Sequence, residues 1–163
     1  MPKPEFQLTS PAFAAGDPIP QLHSGEGTDL SPPLHWQGEP QGTGAFALIL
    51  VDPDAADGPW VHWVLFDIPA KIHSLGAGLP RRLELANGAR HGRCWGVNQF
   101  SRIGYYGPLP PAGQPHRYRF TLTALDAPLK LVAGSSPIAL RSALARHSLG
   151  EAQLEGRYGG IAA

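Results

Sequence analysis

The chain has a single cysteine, Cys94, among 163 residues, so no disulfide can close within it. Neither sign of charge is in excess, since 13 lysines and arginines balance 13 aspartates and glutamates. That balance gives no hint of nucleic acid or an anionic membrane surface as a partner. No apolar run is long enough to cross a bilayer, and the N-terminal MPKPEF has no apolar secretion core; a cytoplasmic protein without integral membrane association is expected. The phosphate-cradling G-x-x-x-x-G-K-[ST] and the nucleophile elbow G-x-S-x-G are both missing, which removes two large enzyme classes. The close H-x-D and H-E-x-x-H spacings are missing too, so no metal and no other cofactor is expected, although two histidines and a carboxylate could in principle make a facial triad.

What the chain has in quantity is turn formers, with 20 glycines and 18 prolines, roughly twice their usual share. Disorder would also give that composition, but a 42% hydrophobic content at zero formal net charge argues for a packed core. Short strands joined by tight turns fit best, in one domain spanning residues 1–163.

The organising stretch is AFALILVDPDAADGPWVHWVLFDI, residues 45–68. Residues 45–51 are apolar without interruption, so a strand here is covered on both faces. It ends at Asp52-Pro53, where proline cannot continue a ladder. A second apolar run starts near His62, and pairing the two as a hairpin sets Asp52 opposite His62 at the open end. Asp52, Asp54 and Asp57 equally suit Asx turns in this loop. Elsewhere, short strands are expected over 6–10, 34–36 and 83–85, a surface loop over 71–79, and a closing strand over 154–160; residues 91–99 have no readable pattern. Residues 135–149 predict the one good helix, with Ser136 as cap, Pro137 in its first turn and Gly150 as its stop.

The clearest strand is HRYRFTLTALD, residues 116–126. Period two puts His116, Tyr118, Phe120, Leu122 and Ala124 on one face, and Arg117, Arg119, Thr121 and Thr123 on the other. The first face is apolar for most of its length and faces the core. His116 and Tyr118 then point inward at its start and need either partners or a cavity. The same parity groups His62 with Val64 and Phe66. Two histidines, a tyrosine and an aspartate at the end of one apolar layer could bind an oxyanion through N–H and O–H donors. Asp52 could fix a histidine tautomer, or hold the ammonium of a zwitterion. Acid–base catalysis is open to the same groups, though no nucleophile is signalled. The tryptophans at 36, 60, 63 and 95 read as core rather than as a stacking platform for nucleic acid.

These motifs resemble the phosphatidylethanolamine-binding proteins, also called Raf kinase inhibitor proteins, in their small bacterial branch. The resemblance rests on LTSPAF, G-D-P-I-P, SPPLHW at 31–36, DPDA at 52–55, W-V-H-W at 60–63, GYYGPLPPAG at 104–113 and HRY at 116–118. It runs in family order from Leu8 to the LEGRYG ending. It implies a mainly β fold: two packed antiparallel sheets with Greek-key connections and a few peripheral helices, one near the C-terminus. It also implies a pocket for phosphate, phosphorylated head groups and other small anions, built from Asp52, His62, His116 and Tyr118, with Pro110 and Pro111 in its rim and Asp54 and Trp60 in support. Two departures stand out: Ala56 replaces a proline common after DPDA, and Leu109 stands where many members have a smaller residue. Readings left open are a binding protein, an enzyme using the same His/Asp/Tyr pocket for acid–base or cyclisation chemistry, and a regulator acting through its surface on a protein partner such as a kinase. A homodimer is also open, since fold does not fix function.

The strand parity sets an expectation for variants. His116→Ala should weaken anion binding by on the order of 1.5–3 kcal/mol, as for a hydrogen bond to a charged group, with the fold retained. Arg117→Ala, on the opposite face, should leave the pocket intact. Phosphate affinity and thermal midpoints of both variants check the parity.

Overall fold

The computed structural model describes residues 5–110 and 113–159. Ten strands and one α-helix follow in order: β1 (Gln7–Thr9), β2 (Leu34–Gln37), β3 (Ala45–Asp52), β4 (Trp60–Pro69), β5 (Ser74–Leu75), β6 (Arg90–His91), β7 (Arg93–Cys94), β8 (Arg102–Ile103), β9 (His116–Leu125), α1 (Pro137–His147) and β10 (Ser148–Tyr158). The main sheet has the order β10-β9-β3-β4-β6, and a smaller one the order β1-β2-β5. Every pair in both is antiparallel. β9 returns from a long excursion to lie on the far side of β3 from β4, which is the long return connection of a Greek key.

β3 is the centre of the main sheet, and its sequence shows why. Phe46, Leu48 and Leu50 point into the layer between the sheets, where they meet Leu8, Leu34, Trp36 and Leu75. Ala45, Ala47 and Ile49 point the other way, into a second cluster with Val64, Phe66, Cys94, Leu125 and Leu140. An unbroken apolar run therefore forms a strand buried on both faces, as the pattern implied. On β9, Tyr118, Phe120, Leu122 and Ala124 all lie in the layer between the sheets, so the two-residue period read from the sequence holds along the strand.

β4 departs from that simple period. Leu50 pairs with Trp63 but Val51 pairs with Val61, so His62 is an extra residue in the ladder. A second irregularity lies between the Phe46–Ile68 and Leu48–Leu65 pairs, where Asp67 takes a positive φ of 53°. Its carboxylate there accepts from the backbone N–H groups of Leu129 and Lys130 at 2.7 and 3.1 Å. Bulges of this kind re-aim side chains. The common face expected for His62, Val64 and Phe66 is therefore not formed: Val64 and Phe66 enter the second cluster, while the His62 ring packs on Tyr118 of the first, with centroids 5.3 Å apart.

Several boundaries also move. Residues 83–85 make no strand, only an isolated bridge from Glu84 to Arg90, while the loop expected at 71–79 contains β5. The helix is shorter than residues 135–149. Ser136 Oγ accepts from Ala139 N–H at 3.2 Å and Pro137 occupies the first turn, as expected. Its stop is Ser148, not Gly150. Gly150 instead sits at a register shift inside β10, which begins at Ser148 rather than near residue 154. The Pro40 side chain lies close over Gly150, so the glycine serves a close approach rather than a helix end. Besides α1, the described residues contain a 3₁₀ turn at Gln21–His23.

A buried histidine ties β6 to the core. His91 is 1% exposed; its Nδ1–H donates to the Arg82 carbonyl at 2.6 Å, and its Nε2 accepts from the Trp63 indole at 3.0 Å. Both nitrogens are committed to the neutral ring, and burial pushes the pKa below 6.5. The unfolded chain thus takes up a proton that the fold refuses, so this contribution is complete above about 6.5 and is lost as pH falls below it. We expect the thermal midpoint to drop from pH 7 to pH 5, and to drop less steeply in His91→Gln, whose amide oxygen can still accept from Trp63. Buried His62 shifts the same way, so the variant keeps part of the slope; thermal scans across this range measure both.

Candidate functional site

The end of β3, the start of β4 and the start of β9 converge on a pocket of about 260 Å³. Its walls include Asp52, His62, Trp95, Leu109, His116 and Tyr118, with Asp54, Ala55, Ala56, Trp60 and Pro110 completing it. All the described residues expected at the site are thus brought together; Pro111 lies outside the described residues.

Asp52 is the fixed point. The carboxylate is 4% exposed yet has two good donors: His116 Nδ1 at 2.7 Å and the Asp54 backbone N–H at 2.8 Å. The second is the Asx turn weighed from sequence, so the structural and functional readings hold together. The histidine fixed by Asp52 is His116, not the His62 that simple hairpin pairing places across from it. The reason is the bulge, which pairs Asp52 with Trp60.

His62 is held from elsewhere. Its Nδ1–H donates to the Tyr106 carbonyl at 2.6 Å, and Tyr106 N–H returns a longer bond to the His62 carbonyl at 3.3 Å. Burial is the main reason that its pKa lies below 6.5; the Tyr106 carbonyl and the Asp52 charge oppose the shift without cancelling it. The turn after Tyr106 is set by Gly107, whose N–H donates to Asp29 Oδ1 at 2.7 Å. A Cβ there would run into the His23 carbonyl oxygen, so only glycine lets this loop approach closely enough to hold His62.

The Tyr118 hydroxyl is closed to water and faces the Asp52 carboxylate. The Trp60 indole N–H, like that of Trp36 in the core, is inaccessible to water and lacks a hydrogen-bond partner among the described residues. Burial, with the Asp52 charge adding to it, keeps the Tyr118 phenol protonated well above the ordinary range. It is therefore a donor at any working pH. An unpartnered buried donor costs free energy unless something else supplies the acceptor.

Sequence reasoning did not single out Trp95, which lines the pocket, or Tyr106, whose carbonyl holds His62. Trp95 packs edge-on against both Trp60 and His62 at 5.4 Å, and its backbone adopts φ 72°, a strained state for a bulky residue. Trp95 N–H donates to the Val61 carbonyl at 2.7 Å, so the strain is held by the same strand that carries His62. The flanking glycines at 92 and 96 are the only signal that could have pointed there. Cys94 next to it is no nucleophile: its thiol donates to the Gly104 carbonyl at 3.3 Å, and burial pushes its pKa up to about 12.

The Arg117 expectation needs correction. Its side chain does point away from the pocket, but it forks onto Asp54, with Nε to Oδ2 at 3.1 Å and Nη2 to Oδ1 at 2.8 Å. Its backbone N–H adds a third bond to Oδ2 at 2.8 Å. Since Asp54 N–H also donates to Asp52, Arg117 braces the rim loop. The Leu109 departure is visible as well: its side chain, 54% exposed, lies over Gly25 and lines the pocket mouth.

A β-sandwich with this pocket at one end of its main sheet defines a ligand-binding fold, and comparison with known proteins gives it a family. The family model described as "Phosphatidylethanolamine-binding protein" matches residues 9–159. A UPF0098 protein of Methanothermobacter thermautotrophicus is 40% identical over 153 residues, covering 94% of this chain and 98% of the relative. The crystal structure of YbcL from E. coli, described as a member of the mammalian PEBP family, superposes with a TM-score of 0.86 at 32% identity, covering 97% of this chain and 100% of that one. That of the phosphatidylethanolamine-binding protein homolog CT736 from Chlamydia trachomatis gives 0.83 at 33% identity, with 96% and 98% covered. The chain belongs to the phosphatidylethanolamine-binding protein family. No helix among the described residues is long and apolar enough to cross a membrane.

The brace on the rim can be tested directly. The Arg117 fork, above all other causes, holds the Asp54 carboxyl down at about 2. In Arg117→Ala that pKa should rise toward the ordinary aspartate value, about 3.9, and affinity for pocket ligands should fall several-fold through the loosened loop. Carboxylate titration by NMR reads the first effect and calorimetry the second.

Proposed function

We propose that the pocket binds a small oxyanion of the phosphate class, either free or as the head of a phosphorylated molecule. The observation that supports this reading is the convergence of His62, His116, Tyr118 and Trp60 on one small pocket beside the buried Asp52. Tetrahedral oxyanions present several acceptor oxygens in a small volume, which suits convergent donors. A pocket of about 260 Å³ is at or below the lower end of small-molecule sites, which suits a head group more than a whole lipid.

Charge fixes the sign of the pH dependence. Asp52 supplies a buried negative charge, and His62 is neutral near pH 7 because burial lowers its pKa. An incoming anion therefore needs an added proton in or on the complex. Binding should strengthen as pH falls from 8 to 6. Calorimetric titration with inorganic phosphate at both pH values, at constant ionic strength, tests this, and equal or weaker binding at pH 6 would sink it.

His116→Gln separates pocket from fold better than His116→Ala, which leaves Asp52 with one remaining donor in a buried position. The glutamine amide can still donate to Asp52. We expect it to keep most of the thermal stability while losing phosphate affinity by on the order of 1.5–3 kcal/mol.

A further inference from the structure

The far face of the main sheet holds a second cavity, of about 280 Å³, at the edge of α1. Three strands make its floor in adjacent pairs: Glu151 beside Thr123, Gln153 beside Thr121, and Arg119 beside Val51. The two-residue period sends the β9 members of these pairs away from Tyr118 and Phe120, and none of the floor residues lines the pocket at the sheet's end. Arg141 and Leu144 of α1 supply the other wall. One turn before Leu144, Leu140 seats the helix on the sheet through the second apolar cluster. At the cavity the sheet presents charge and hydrogen-bonding groups to the helix instead.

The charges there do not cancel in pairs. Arg119 is committed to Glu155, with Nε and Nη2 each 3.1 Å from Oε2, so that pair is neutral as a unit. Arg141 on one wall and Glu151 on the floor are both exposed. Neither has an ionic partner among the described residues, and they do not pair with each other. An exposed pair gains little by closing, so a ligand that bridges the two displaces no strong contact. Thr123 is only 4% exposed and makes no side-chain hydrogen bond to a described residue, yet its hydroxyl is not sealed from solvent. Thr121 Oγ1 accepts one long bond, 3.5 Å, from Gln153 Nε2, which leaves the Thr121 O–H and the Gln153 carbonyl free to engage a ligand. Ile49, Val51 and Leu144 add an aliphatic patch.

One unpaired cation, one unpaired anion, neutral hydrogen-bonding groups and an aliphatic patch define a ligand that carries all three characters. An anion alone would meet the Glu151 charge unopposed, and a cation alone would meet that of Arg141. A cavity of this volume is at the lower end of small-molecule sites, which restricts the ligand to a few heavy atoms beyond its charged groups. We propose that this cavity binds a free aliphatic α-amino acid. Its carboxylate is held by Arg141, its ammonium by Glu151, and its side chain lies on Ile49, Val51 and Leu144.

The probes are leucine and two analogues with one charge removed: isocaproate, which lacks the ammonium, and isoamylamine, which lacks the carboxylate. Each is titrated into isotope-labelled wild-type protein, Arg141→Gln and Glu151→Gln, with amide NMR shifts followed and thermal midpoints recorded. Leucine should shift amides over residues 119–123, 141–144 and 151–153 to saturation. Isocaproate and isoamylamine should bind at least about tenfold more weakly, each having lost a hydrogen bond to a charged group. Arg141→Gln should weaken leucine by a similar factor while binding isoamylamine no more weakly than wild type, and Glu151→Gln should do the same with isocaproate as the unaffected probe. Both side chains are exposed, so the midpoints should hold. Equal binding of leucine and either analogue to wild type would overturn the proposal, as would leucine affinity unchanged in both variants. Shifts confined to residues around Asp52 and His116, or no saturable shift on this face, would overturn it as well. None of these results bears on the oxyanion reading of the other pocket.

Discussion

The hydrogen bond from His116 to Asp52 is the constraint on which the site is built. A carboxylate this buried is tolerable only if donors replace the lost water. One donor comes from the strand that runs alongside, the other from the turn that Asp52 itself starts. The single carboxylate thereby joins the end of β3 to the start of β9 and sets the path of the rim loop. Arg117 continues the chain on the other face of the sheet, through Asp54. A charge that would otherwise destabilise the core edge becomes the element that defines its geometry.

The bulge at His62 does the complementary work on β4. Without the extra residue, strict alternation would carry His62 into the second cluster with Val64 and Phe66, away from Tyr118. With it, the ring stands at the pocket and its Nδ1 reaches the Tyr106 carbonyl. Segments around residues 95 and 106 then pair with the free side of β4 and close the wall with Trp95. Pocket and sheet irregularity are therefore one feature.

The sequence carried the sheet's centre well and named most of the residues that line the pocket. An uninterrupted apolar run at 45–51 and clean alternation at 116–125 are local patterns with one physical solution each. Ser136-Pro137 is equally local as a helix start. What it could not carry were effects that depend on two segments at once. A bulge at His62 is invisible without the partner strand, so alternation misassigned its face. Gly150 looked like a helix stop because a glycine after a helical pattern usually is one, but its neighbour is Pro40, over a hundred residues earlier. Trp95 and the Tyr106 carbonyl act through backbone geometry and long-range contact, which residue type alone does not encode. Arg117 was placed on the correct face yet judged independent of the pocket, because parity says nothing about reach.

The junction at Ser148 has a consequence for how the chain can vary. The residue that ends the helix is also the first of an eleven-residue strand, with no slack between them. One residue inserted there would either lift α1 off the sheet or slide β10 against β9, and a one-step slide exchanges inward and outward side chains along the whole strand. The loops around residues 55–57 and 86–88 could lengthen without moving any strand's register. Natural variation in chain length should collect at such turns and avoid this seam.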